Sequence, residues 1–149
     1  MKNNKLKNTL ILCILLFSLF FIGCSNSKRE PVSMESIITE LKSNGYKVEV
    51  RDPTKEDLSA SFFPMSSFKF IYANDSKEVS IVIYSFDTVE IAQQQAQTVS
   101  KDGTQAGNSI IDWVFPQAFF AKDNLIVTCA KASPYTKQLE KLLGKPITE

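Results

Sequence analysis

The groups able to do chemistry here are few: three cysteines and sixteen carboxylates, with no histidine anywhere in 149 residues. Without histidine, this chain cannot by itself build a Ser-His-Asp triad, a Cys-His dyad or a His-ligated metal site. No CxxC motif is present. Cys129, between the neutral Thr128 and Ala130, therefore reads as a small core residue rather than an activated thiol. Neither Asn74-Asp75-Ser76 nor Asp102-Gly103-Thr104 carries the alternating oxygen ligands and closing glutamate of a calcium loop. Gly103 and Gly107 flank a polar loop with no Gly-Lys-Ser/Thr after it, so they supply positive φ rather than a phosphate cradle. No cofactor is expected. A carboxylate-dependent hydrolase needs two facing acids, and no spacing singles out such a pair. Asp112, set among apolar neighbours, reads as a partly solvated strand position.

The aromatic residues offer more. Trp113, Phe115, Phe119 and Phe120 surround Pro116, and Phe62-Phe63-Pro64-Met65 form a second apolar cluster. Phe62, Phe63, Trp113, Phe119 and Phe120 are the candidate binding surface, suited to a peptide, a glycan or an envelope protein. Most of these rings are expected in a core. Phe119 and Phe120 are adjacent and must face opposite ways in a strand, which leaves one of them as the candidate for an exposed contact.

The N-terminus has its own logic. Lys2, Lys5 and Lys7 precede an apolar run over residues 10–22 that is broken only by Ser18. That run is short of the ~20 residues a membrane-spanning helix needs, and it reads as an export signal. It ends in Phe21-Ile22-Gly23-Cys24, which resembles the bacterial lipobox. The resemblance implies cleavage after Gly23, a diacylglyceryl group on the Cys24 thiol, and a membrane-anchored protein facing the extracytoplasmic side. One acyl chain holds a protein marginally, at about 0.8 kcal/mol per buried CH₂, whereas two anchor it stably. Removal of residues 1–23 leaves 14 basic and 16 acidic side chains, a net charge of −2. Such a surface has no electrostatic reason to bind nucleic acid. Cys129 would then be the single free thiol, with no intramolecular disulfide, so the domain must rely on its core.

The elements that must position these groups follow from periodicity. Residues 24–32 read as the lipidated cysteine and a polar tether, and residues 33–149 as a single domain. Met34, Ile37, Ile38 and Leu41 mark one face of a helix capped by Ser33 and stopped by Asn44-Gly45. Tyr46, Val48 and Val50 alternate as a strand, and residues 51–61 are a charged connection. Phe68, Phe70 and Tyr72 form a hairpin with residues 79–84. Asp87 and Glu90 make a capping box for a helix striped by Val89, Ala92, Ala96 and Val99. Residues 110–115, 117–121 and 125–130 read as strands. Ser133-Pro134 opens a last helix bearing Tyr135, Leu139 and Leu142, which Gly144 and Pro146 close. The expected class is α+β: a mainly antiparallel sheet of about six strands with helices largely on one face, in the order α-βββ-α-βββ-α.

From about residue 41 to residue 144 the chain resembles a family of small, uncharacterised bacterial lipoproteins. The resemblance is carried by Phe62-Phe63, the strand at 79–84 with its following helix, Ser100-Lys101-Asp102-Gly103, Trp113 with Pro116, Phe119-Phe120 and Leu125-Ile126-Val127. It departs at Ala118, where the family often has histidine, and at Asp123, where it often has glycine. The resemblance implies an exported domain and supplies no reaction. The expectation is a membrane-tethered, non-catalytic binding or interaction module. The alternatives are a small cell-envelope hydrolase and a structural or chaperone-like accessory.

Overall fold

A computed structural model describes residues 30–73, 80–107, 109–110 and 117–149. Pro31–Glu149 form one unit. It opens with helix α1, Met34–Ser43. Ser33 caps it reciprocally: its Oγ accepts from Ser36 N–H at 3.1 Å while Ser36 Oγ accepts from Ser33 N–H at 3.0 Å. Asn44 ends the helix and Gly45 turns the chain at φ 85°. Strand β1, Val48–Arg51, follows. The connection after it holds a short helix absent from the expected order, α2, Lys55–Ser59, capped by Thr54 and Asp57.

Strands β2, Ser67–Ala73, and β3, Ser80–Ser85, form the expected hairpin. Helix α3 is Val89–Ala96. Its cap is Thr88, which accepts from Ile91 N–H at 3.2 Å, and not Asp87. The shift has a local cause. Asn124 grips the Phe86 backbone in both directions, at 2.9 and 2.8 Å, which leaves Thr88 extended at the helix start. A two-residue ribbon, β4, Gln105–Ala106, and β5, Ser109–Ile110, comes next. Of the strand expected at 110–115, only Ile110 lies within the described residues. Strands β6, Gln117–Lys122, and β7, Leu125–Ala130, form a second hairpin, and α4 is Thr136–Leu143. That last helix begins after Tyr135 without a side-chain cap, two residues later than Ser133-Pro134 suggested.

The main sheet is antiparallel throughout, in the order β1-β2-β3-β7-β6. Because side chains alternate along strands, the register divides them between two faces. Ile71, Ile81, Ile83, Val127, Cys129 and Phe120 meet Ile37 and Leu41 of α1 and Leu139 and Leu143 of α4. On the other face Phe68, Tyr84, Ile126 and Phe119 meet Phe63, Phe86, and Ala92 of α3. Two of the three longer helices thus share a face, and α3 covers the opposite one.

The two sheet edges are treated differently. Along β6 the C-terminal segment adds a partial rung: Ile147 N–H donates to Phe119 O at 2.7 Å, and Phe119 N–H donates to Thr148 Oγ1 at 3.2 Å. Among the described residues, nothing pairs with the outer edge of β1. Covering an edge protects a row of unpaired backbone groups, and β1 carries that role by being short and by presenting charges at Glu49 and Arg51.

Candidate binding surface

One row of paired residues crosses all five strands on the α3 face: Arg51, Phe70, Val82, Thr128 and Phe119. Its β6 end is buried, whereas Phe70 and Val82 near its β1 end are only half-buried. The next row on that face includes Phe68 and Tyr84. Together Phe68, Phe70, Val82 and Tyr84 floor a shallow hollow of about 160 Å³, walled by Asp57 of α2 and by Phe62.

Phe62 is a partition. On its other side lies a second hollow of about 150 Å³, bounded by Pro64, Met65, Gln95, Thr98 and Gly107. Gly107 sits at φ 60°, and a Cβ there would stand 1.9 Å from the Phe62 carbonyl oxygen. Only glycine permits that approach. The backbone of Phe62 is thereby held against the loop that follows α3.

The aromatic floor is continuous. Phe68 meets Phe70 edge-on at 5.6 Å between centroids and Tyr84 at 5.3 Å. Phe63, beneath, meets Tyr84 at 4.9 Å and Phe86 at 5.9 Å. Phe70 and Tyr72 stack at 12°, 6.4 Å apart. Burial pushes the Tyr84 hydroxyl well above the usual phenol range.

Charge enters at the rim. The Arg51 guanidinium lies 4.2 Å from the Phe70 ring centroid, a cation–π geometry. Arg51 Nε donates to Tyr72 Oη at 3.2 Å, and its Nη1 donates to Asp57 Oδ2 at 2.8 Å. Asp57 also accepts from Thr54 N–H at 2.8 Å. The Arg51 hydrogen bond, followed by the Thr54 backbone bond, holds the Asp57 carboxyl down at about 2, and the Arg51 pKa is correspondingly raised. This pair is fixed geometrically by the α2 cap, so the rim presents an oriented cation and anion rather than two loose side chains.

The expected binding residues separate in space. Phe62, Phe63 and Phe119 come together on the α3 face, with Phe62 and Phe119 rings 6.4 Å apart. Phe120 belongs to the opposite face. Both members of the β6 pair are fully buried, which corrects the expectation that one would be exposed. The reason is that helices cover both faces and the C-terminal segment covers the edge. Phe63 is likewise fully buried and is core, which leaves Phe62 as the partly open member. Gly23, Cys24, Asp112 and Trp113 lie outside the described residues.

Arg51, Asp57 and Phe70 were not anticipated as a group. A signal existed in Thr54-Lys55-Glu56-Asp57, a capping-box pattern that would have placed α2 beside the end of β1. The cross-strand pairing of Arg51 with Phe70 had no such signal, because register is a tertiary property.

Other candidates resolve into structure. Asp102 Oδ1 accepts from Ser100 Oγ, Thr104 N–H and Thr104 Oγ1 at 2.6–3.1 Å, closing its own turn and lowering its pKa. Cys129 is buried, which raises its thiol pKa, with Thr136 Oγ1 at 3.7 Å as its neighbour. Among the described residues, no three acidic or cysteine side chains gather as a metal site.

No family model matches the chain. No curated protein and no solved structure matches it either. The functional argument therefore stands on the residues and their geometry.

Proposed function

We propose that this protein is a lipid-tethered extracytoplasmic binding module that takes up an extended peptide or glycan segment on the α3 face. The tether rests on one observation, the basic, apolar, Gly23-Cys24 sequence followed by a polar stretch. The anchor is assigned to a lipid on Cys24, the cysteine that ends the lipobox-like stretch. The binding role rests on the half-open aromatic floor beside the oriented Arg51–Asp57 pair, since flat rings with a few fixed polar groups suit both peptide side chains and sugar faces. Asp57, Glu90 and Asp102 carry lowered carboxyl pKa values, so these three are not poised as general acids.

Two measurements test this reading. The intact mass of membrane-extracted protein should equal residues 24–149 plus the diacylglyceryl addition; an unmodified N-terminus overturns the tether. Titration of the domain with short peptides and with wall-glycan fragments should shift the ring resonances of Phe62, Phe68, Phe70 and Tyr84 with at least one class. Rings indifferent to both classes would remove the hollow as a binding site.

A further inference from the structure

Five large apolar side chains stand exposed among the described residues: Val50, Leu58, Met65, Val89 and Ile110. Three of them belong to connections made at one end of the sheet. At that end β2 and β7 begin while β3 and β6 finish, so that Ser67, Ser85, Leu125 and Lys122 form the last paired row. Leu58 and Met65, 54% and 69% exposed, lie in the segment leading into β2. Val89, 39% exposed, opens the helix that leaves β3.

The chain also enters at this end. Val32 is packed into the core, and its N–H donates to Asp123 Oδ2 at 2.6 Å in the turn between β6 and β7. Asp123 holds φ 51°, a conformation that asparagine, aspartate and glycine tolerate best. Pro31, Val32 and Ser33 line a hollow together with Ser85 and Leu125 of the last row.

Eight residues of chain lead from Cys24 to Val32, so that segment reaches at most ~26–29 Å when fully extended. Strand β2 has seven residues, a length of ~23 Å before any loop is added at either end. A lipid on Cys24 therefore lets the near end rest on the bilayer with slack. Turning the far end to the same surface would require the tether to run nearly straight along the whole body.

We propose that this end of the domain lies on the phospholipid surface, with Leu58, Met65 and Val89 at the boundary between headgroups and acyl chains. The inference rests on the lipid-tethered reading above. The contact is apolar in kind. Asp52, Glu56, Asp87 and Glu90 share this end with Lys55, Lys69 and Lys122, so its charges are mixed and it has no net cationic patch to draw in anionic headgroups. Burial of Leu, Met and Val in the interface, with the tether keeping the surface close, supplies the attraction.

The test imposes the tether chemically. Residues 24–149 contain the whole Pro31–Glu149 unit. Cys129 is 1% exposed, so a maleimide phospholipid reacts at Cys24. Hydroxyl-radical footprinting is then compared with and without coupling to phosphatidylcholine vesicles. Several-fold protection of Leu58, Met65 and Val89, with none at Tyr46 or Pro134 at the other end, is the expected result at both low and high salt. The variant carrying Leu58→Ser and Met65→Ser should keep its thermal midpoint and lose the protection at Val89. Equal labelling in both states, protection at the far end, or protection seen only with anionic lipid at low salt overturns the proposal. Because the tether here is synthetic, an unacylated native Cys24 would sink the lipoprotein reading and leave this result about the surface intact.

Discussion

The two faces of the sheet solve the same problem with different side chains. The α1/α4 face is chiefly aliphatic, with Ile37, Leu41, Ile71, Ile81, Ile83, Val127, Leu139 and Leu143 buried between two helices. The α3 face is aromatic, built from Phe63, Phe68, Tyr84, Phe86 and Phe119, and its single helix leaves Phe70 and Val82 partly open. Branched aliphatic side chains fill space between ridges, whereas rings pave a surface and remain useful where one side meets solvent. Under the proposed binding role, the comparison divides stability and recognition across the sheet. One face is sealed, and the other keeps an unfilled margin beside β1.

The strongest way to break that division is to remove one ring from each face. Phe120 is fully buried against α1 and α4, so Phe120→Ala should cost about 3–5 kcal/mol. Phe70 is half-buried and already shares its face with Arg51, so Phe70→Ala should cost well under half of that and chiefly alter ligand binding. Denaturant unfolding of both variants decides the matter. Equal losses would mean that the open face is as structural as the closed one.

Much of this architecture was legible in the sequence because it is local. Ser33 as a cap, Asn44-Gly45 as a stop and the two hairpins are encoded within a few residues, and the α+β antiparallel class followed from them. The allocation of rings to faces was not legible. Phe119 and Phe120 could be read as opposite, but only the positions of α1, α3 and the C-terminal segment reveal that both sides are covered. The same holds for Arg51. By sequence it starts the charged connection, whereas in the fold it ends β1, and its place over Phe70 and beside Asp57 depends on strand register and on where α2 folds back.

A subtler test concerns the middle of the long row. Thr128 stands between Val82 and Phe119 on the α3 face, and among the described residues its buried Oγ1 has no hydrogen-bond partner. An unsatisfied buried hydroxyl is a liability that a methyl group of similar size does not carry. Thr128→Val should therefore stabilise the fold by about 1 kcal/mol, visible as a higher denaturant midpoint with an unchanged slope. Such a gain would sharpen the contrast, since it would locate the removable imperfection on the face assigned to binding. A loss of stability would show instead that this hydroxyl is satisfied in solution.

The smallest expected effect is also the most selective. The carboxyls with lowered pKa values, Asp57, Glu90 and Asp102, all sit on elements flanking the α3 face. A depressed folded-state pKa means that the interaction contributes stability above the unfolded pKa and loses it as pH falls through the folded value. For Asp57 that window runs from its ordinary 3.8 down to about 2. The groups with displaced pKa values on the opposite face, Cys129 and Tyr135, are shifted upward and stay neutral throughout that range. Acid should therefore loosen the α2 region and the loops around α3 before it touches α1 and α4. Hydrogen exchange followed from pH 5 to pH 2 should show protection lost first around Asp57, and the Asp57→Asn variant should already resemble the acid state there at neutral pH. Uniform loss over both faces would mean that the two halves of the core unfold as one cooperative body, and the division of labour across the sheet would then apply to ligand contact alone.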